Sequence, residues 1–243
     1  MFIVGSPFVF AQTDSQLNDP SQRQLQGARR AIRAKDYTSA MEILRPLASH
    51  GNKWAEHYVG IAYYFGEGVE MNHVEALRWF RKAADQSLAA AKYYIGVMYA
   101  EGDVVQRDDV EAARWYESSA KQDYAPAELQ IAWAYARGLG VLFEPDVALM
   151  WFGRAAENGE EQAQYELGQI YLTGWSVKKD LVEGYKWLAI SAGSGSEEGK
   201  QAMESARKLL SPSQLKQATE AARDWLRKEG LLTRPVDELL TVP

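Results

Sequence analysis

The chain has 243 residues, 47% hydrophobic and 25% charged, a balance that belongs to globular proteins and excludes a disordered polymer. Its 27 basic and 33 acidic side chains leave a net charge of -6, a field that repels polyanions and argues against nucleic acid as a partner. It has no cysteine, which excludes disulfides and thiolate metal centres.

Residues 1–11 read MFIVGSPFVFA, a short apolar run that gives way to a polar stretch. Val9 and Ala11 stand where a signal peptidase requires small or β-branched side chains. The layout predicts a secretory leader over 1–11, its basic start upstream of Met1, followed by a flexible segment over 12–20. The protein is then periplasmic or secreted; a loosely packed N-terminus in place of a leader would leave it cytoplasmic. No stretch reaches the ~20 apolar residues of a membrane-spanning helix.

Residues 21–54 form the first of five related copies, and their kinship is visible only through the four that follow. Trp79, Trp115, Trp151 and Trp187 recur every 36 residues, as do Ala55, Ala91, Ala127 and Ala163. Tyr63, Tyr99, Tyr135 and Tyr171 keep the same step, and so do Gly66, Gly102, Gly138 and Gly174. A fixed period of this length is the mark of a stacked repeat architecture. Counting back one step, Asp36, Ala40, Ile43, Leu47 and Ala48 fall in register with the second half of a copy. The segment therefore begins with a helix over 21–34 and a short turn at Lys35 and Asp36.

Each full copy reads as two helices. Ala91, Ile95 and Tyr99 lie four apart on one face of the first. Gly60, Gly96, Ala132 and Gly168 are small enough to admit a close second helix. The loop opens at glycine, the residue that ends helices in a left-handed turn. Asp108 and Asp180 precede the second helix as caps for its free amides. That helix carries Ala112, Trp115, Tyr116, Ser119 and Ala120, and periodicity places the register tryptophans in the core.

At the end of the fourth copy, residues 192–196 are expected to break its second helix. Residues 199–210 form one further helix, and Ser211, Pro212 and Gln214 start another with a cap, a proline at the first position and a reciprocal glutamine. Leu215, Ala218, Ala222 and Trp225 mark its buried face. This capping pair spans 199–230, and 231–243 form a tail.

The repeating pattern resembles the Sel-1-like repeat, a tetratricopeptide-like family. The resemblance rests on the small-residue, tyrosine and loop-glycine positions, the acidic or Asn cap, the Ala and Trp of the second helix and a closing alanine pair. It covers residues 55–198, with copies at 55–90, 91–126, 127–162 and 163–198. Departures are local: Val104 and Ser176 replace the second loop glycine, Asn72 the acidic cap and Gly184 an alanine. The implied fold is all-α, a right-handed α-solenoid of helix-turn-helix repeats.

No catalytic, metal or cofactor constellation emerges. His50, His57 and His73 lack the spacing of a zinc site. Gly66, Glu67 and Gly68 lack the lysine of a phosphate loop. Ser205 and Lys208 form an isolated Ser-x-x-Lys without its companion motifs. Acid pairs at 108–109 and 160–161 sit at helix starts, where the macrodipole accounts for them.

In such solenoids the first helices line the concave side. Alignment of the copies points Trp54, His57, Ile61, Tyr64 and Phe65 there from the first, and Tyr93, Val97 and Glu101 from the second. Leu129, Trp133 and Arg137 follow from the third, and Tyr165, Gln169 and Thr173 from the fourth. These positions vary between copies while packing positions repeat, and Trp, Tyr and Arg are enriched at binding hot spots. The expected function is therefore a non-enzymatic adaptor that binds an extended peptide or a helix of another protein. By resemblance it serves a bacterial envelope process: signalling, surface assembly or export. Two alternatives stand beside it. One is a β-lactam or cell-wall hydrolase, although the secreted relatives of that type are cysteine-rich. The other is a structural subunit of a flagellar or secretion machine.

Overall fold

A computed structural model describes residues 20–240, so the expected leader over 1–11 lies outside the described residues. The described chain is all-α and divides into two compact units, one ending at Gln122 and the other beginning at Asp123.

The first unit contains α1 (Pro20–Arg33), α2 (Tyr37–Ser49), α3 (Lys53–Phe65), α4 (His73–Asp85), α5 (Ala89–Glu101) and α6 (Asp109–Ala120). They form three antiparallel hairpins, α1 with α2, α3 with α4 and α5 with α6; α2 packs on α3, and α4 on α5. Asp36 caps α2 by accepting the Ser39 amide, and Asn72 and Asp108 cap α4 and α6 in the same way. The small residues do what their size allows. A β-carbon on Gly60 would stand 2.7 Å from the Phe80 ring, and one on Gly96 would stand 2.7 Å from the Tyr116 ring. Phe80 is fully buried and Tyr116 nearly so, whereas their predecessors Trp79 and Trp115 are only half-buried. The core anchor of these hairpins is thus the residue after the register tryptophan. The indole itself covers the flank, with the Lys82 ammonium 4.1 Å above the Trp79 ring.

The second unit contains α7 (Ala125–Arg137), α8 (Pro145–Glu157), α9 (Glu161–Thr173), α10 (Leu181–Ser194), α11 (Glu197–Arg207), α12 (Pro212–Lys228) and the short α13 (Arg234–Leu239). Hairpins α7–α8 and α9–α10 stack through α8 and α9, and α10 is covered by α11 and α12. Here Trp151 and Trp187 are buried together with Phe152 and Leu188. Gly168 and Gly184 face each other: a β-carbon on either would come 3.1 Å from the other's carbonyl oxygen. The exchange of alanine for Gly184 therefore tightens the α9–α10 crossing.

Three boundaries differ from expectation. Helix α10 runs through Gly193 and stops at Gly195, whose φ of 117° a side chain rarely adopts. Helix α11 starts at Glu197, capped by Ser196, and ends at Arg207. In α12 the capping box at Ser211 and Gln214 forms and Leu215, Ala218 and Ala222 are buried as expected, but Leu226 completes the buried face while Trp225 is half-buried against Trp187. The expected tail contributes α13, tied down by Arg223 to Asp237 at 2.7 Å and by the buried Leu240.

All four full hairpins close their loops alike. The first helix ends at Gly66, Gly102, Gly138 or Gly174, each with φ between 66° and 81°. The amide of Asn72, Asp108, Glu144 or Asp180 then donates to the carbonyl of Tyr63, Tyr99, Tyr135 or Tyr171 at 2.8–3.1 Å. The register tyrosine thus supplies a backbone latch as well as a ring. At the second loop position Gly68 and Gly140 are left-handed and Ser176 is forced to follow at φ 57°, while Val104 does not take that conformation.

Candidate functional site

The residues expected on the first-helix faces separate into core and surface. In the first unit His57, Tyr64, Tyr93 and Val97 are buried, and Leu129 is buried in the second. These five offer little free surface. Trp54 and Ile61 are half-buried, and Phe65 (44% exposed) and Glu101 reach solvent. In the second unit Trp133, Tyr165 and Gln169 are half-buried and Arg137 and Thr173 exposed.

The surface residues of the first unit rest on an aromatic base. Tyr64 donates from its hydroxyl to Glu101 Oε2 at 2.5 Å and stacks on His73 at 4.9 Å. Burial and the Glu101 carboxylate push the Tyr64 phenol well up. The Arg29 guanidinium lies 5.6 Å from the Trp54 ring and donates to the Tyr58 hydroxyl at 3.1 Å. Tyr94, which the sequence did not single out, stacks on Phe80 at 5.0 Å and is pushed up to about 12 by burial.

In the second unit Trp133 stands edge-on to Phe152 at 5.0 Å, and the Arg137 guanidinium covers its other side at 4.1 Å. One turn apart on α7, the two form a platform of apolar body and charged head. On α9, Gln162 donates to Glu166 at 2.8 Å; burial raises the Glu166 carboxyl while Gln162 and Arg137 act to lower it.

A set of part-buried polar bonds to buried acceptors recurs in both units, which periodicity alone did not reveal. Glu56 accepts from Gln86 and Glu128 from Asn158, each at 2.8 Å, and Gln164 accepts from the Ser194 hydroxyl at 3.0 Å. Donor and acceptor are 30 residues apart each time, and the acceptor follows the register alanine. That polar residue after Ala55, Ala127 and Ala163 was the signal in the sequence. Arg154 Nη2 adds a contact of 3.1 Å to Glu128 and one of 2.6 Å to Asp123.

Among the described residues no three His, Asp or Glu side chains come together as metal ligands, and no helix is long and apolar enough to cross a membrane. A hollow of about 440 Å³ beside the α3–α4 loop is lined by Arg45, Tyr63 and residues 68–72, without a nucleophile–base pair.

The Sel1 repeat matches residues 55–88, 89–124, 125–160 and 161–196. No curated protein sequence matches the chain. Among solved structures, a Sel1 repeat protein from Oxalobacter formigenes is 27% identical and superposes with a TM-score of 0.71, over 85% of this chain and 83% of that one. The protective antigen c5321 of uropathogenic Escherichia coli, which displays an SLR fold, is 24% identical with a TM-score of 0.51, over 88% of this chain and 54% of its own. The immunity protein Pa5087 from Pseudomonas aeruginosa is 20% identical with a TM-score of 0.58, over 85% and 83%. The last two are likenesses of fold. Four matched repeats occupy more than half of the sequence and share their hairpin geometry, and the chain belongs to the Sel1 repeat family.

Proposed function

We propose that the chain is a non-enzymatic scaffold that binds a peptide or helix of another protein on the solvent-facing side of its first helices. Sel1 repeats generally mediate protein–protein interaction, and the family is typically without catalytic activity. The observation that carries the reading is one register position. Phe65, Glu101, Arg137 and Thr173 are equivalent, all exposed and all different, while the small residues below them repeat. A position that is exposed in every copy and varied in chemistry is where a surface adapts to its partner.

In this reading the first unit presents Trp54, Ile61, Phe65 and Glu101, and the second presents Trp133, Arg137, Tyr165, Gln169 and Thr173. Trp133 with Arg137 is the strongest anchor, because little side-chain entropy remains to be lost on binding. The test is Trp133→Ser with Arg137→Ser in the full chain, followed by affinity capture from the native host. Loss of the captured protein at unchanged helicity supports the surface, and undiminished capture refutes it.

The same reading places the protein in the bacterial envelope, on the strength of the leader-like residues 1–11. Mass spectrometry of the native protein checks this: a mature N-terminus near Gln12 supports it, and an intact Met1 in a cytoplasmic fraction refutes it.

A further inference from the structure

His57 is the side chain that neither the packing nor the proposed surface requires. It lies on α3, 2% exposed, with its ring centroid 5.6 Å from Tyr58 and 5.7 Å from both Phe80 of α4 and Tyr94 of α5. Its Nδ1 is buried with no hydrogen-bond partner. The equivalent positions hold Tyr93, Leu129 and Tyr165, so the repeat asks here for bulk and not for a titratable ring.

We propose that protonation of His57 opens the first unit, which makes this unit an acid-sensitive element of the protein. A neutral imidazole with one unpaired nitrogen is tolerable in an aromatic cage. An imidazolium there would carry a full charge and an unsatisfied N–H donor away from water, and the fold escapes this by admitting solvent. Nothing around the ring offers a counter-charge. Tyr58 and Tyr94 are held neutral, their phenols pushed up chiefly by burial. Glu56 on the same helix turns its carboxylate to Gln86. On α2 Glu42 and Arg45 are exposed, as are Arg78, Arg81, Lys82 and Asp85 on α4 and Glu101 on α5, and Lys92 of α5 donates to Ser118. Burial is the sole influence on His57 and brings it down to about 3 from 6.5.

The direction follows. The folded form keeps the ring neutral and the unfolded form protonates it below about 6.5, so stability is full above that pH and is lost as pH falls from there toward about 3. The other two histidines are also in the first unit but differ in setting. His50 is exposed, and His73 has Asp103 at 3.2 Å from Nδ1 and the Tyr64 carbonyl at 3.2 Å from Nε2. The second unit has no histidine and serves as an internal control.

Amide hydrogen exchange of the full chain at about pH 7 and about pH 4.5, corrected for intrinsic rates, tests the proposal. Two units below the ordinary histidine value give a loss of protection of about a hundredfold in α3–α5, tenfold per unit, while the second unit loses none. His57→Leu and His57→Tyr, the residues found at equivalent positions, abolish the loss, and His73→Gln leaves it in place. Unchanged protection in the parent, a loss that survives both His57 variants, or one that disappears with His73→Gln overturns the proposal. Should neither His57 variant fold, histidine ring resonances of the parent decide. A His57 ring that stays neutral until the unit opens supports the switch, and one that titrates near 6.5 within the folded protein contradicts it.

Discussion

Gly60 lies under the ring of Phe80, so close that a β-carbon there would stand 2.7 Å from two ring carbons. The relationship recurs between Gly96 and Tyr116 and between Gly168 and Leu188, and it sets how near the two helices of a hairpin approach. Gly60→Ala and Gly168→Ala therefore destabilise by about 1–3 kcal/mol, overpacking outweighing the better helix propensity of alanine. Gly153 on α8 has nothing within 4 Å of its would-be side chain, and Gly153→Ala stabilises by about 0.5–1 kcal/mol. Phe80→Ala costs about 3–5 kcal/mol, and Trp79→Ala costs less because its indole is half in water. Urea denaturation of the four alanine variants and of Trp79→Ala orders them.

A second register is written in backbone angles. Gly51, Ser87, Asp123, Gly159 and Gly195 recur every 36 residues after the second helices, all with φ between 57° and 117°. Ser87 and Ser176 carry a side chain where glycine suits the backbone. Ser87→Gly and Ser176→Gly each raise stability by about 0.5 kcal/mol, the relief of left-handed strain exceeding the entropy that glycine adds to the unfolded chain. Gly159→Ala, at φ 85°, lowers it by about 1 kcal/mol or more. Thermal melts read all three.

Carboxyls raised by burial respond to acid in the direction opposite to His57, Glu56 in the first unit and Glu128, Glu161 and Glu166 in the second. Burial is the largest influence on Glu128, Glu161 and Glu166 and raises each above 4.5. A raised carboxyl favours the fold when protonated, so its contribution is full below about 4.5 and is lost as pH rises through the folded value. Amide protection in the second unit should rise modestly as pH falls from about 7 toward about 5. Glu128→Gln removes part of that slope, while Glu128→Ala leaves Asn158 and Arg154 without their buried acceptor and costs about 1–3 kcal/mol.

Tyrosines that look alike in sequence part company in effect. Tyr64→Ser and Tyr93→Ser each cost about 3 kcal/mol or more, because both rings sit within the aromatic core of the first unit. Tyr165→Ser, at a half-buried site, costs less than half as much and acts on partner affinity instead. Circular dichroism melts separate the two groups.

The period, the two-helix copy, the loop glycines and the caps at Asn72, Asp108 and Asp180 were all legible in the sequence, since each depends on local stereochemistry that recurs in register. The inward or outward direction of a first-helix residue was only half legible. Tyr93 and Tyr165 are equivalent by number, yet Tyr93 is buried against Tyr116 while Tyr165 is half-exposed. Alignment fixes the angle of a residue about its helix, but the neighbouring side chains decide whether that angle is covered. Trp151 and Trp187 are buried as expected, whereas Trp79 and Trp115 misled for a related reason. Periodicity marks a position that recurs without telling the centre of the interface from its flank, and Phe80, Tyr116, Phe152 and Leu188 hide the stronger anchor by changing identity from copy to copy.

The central claim, that the exposed first-helix positions carry partner binding, is tested most directly by site-specific photo-crosslinking in the native host. A photoreactive residue at Arg137 should give a discrete cross-linked product, and one at Met150, exposed on the second helix of the same hairpin, should give none. A product from Met150 with none from Arg137 would put the interface on the opposite side and contradict the account.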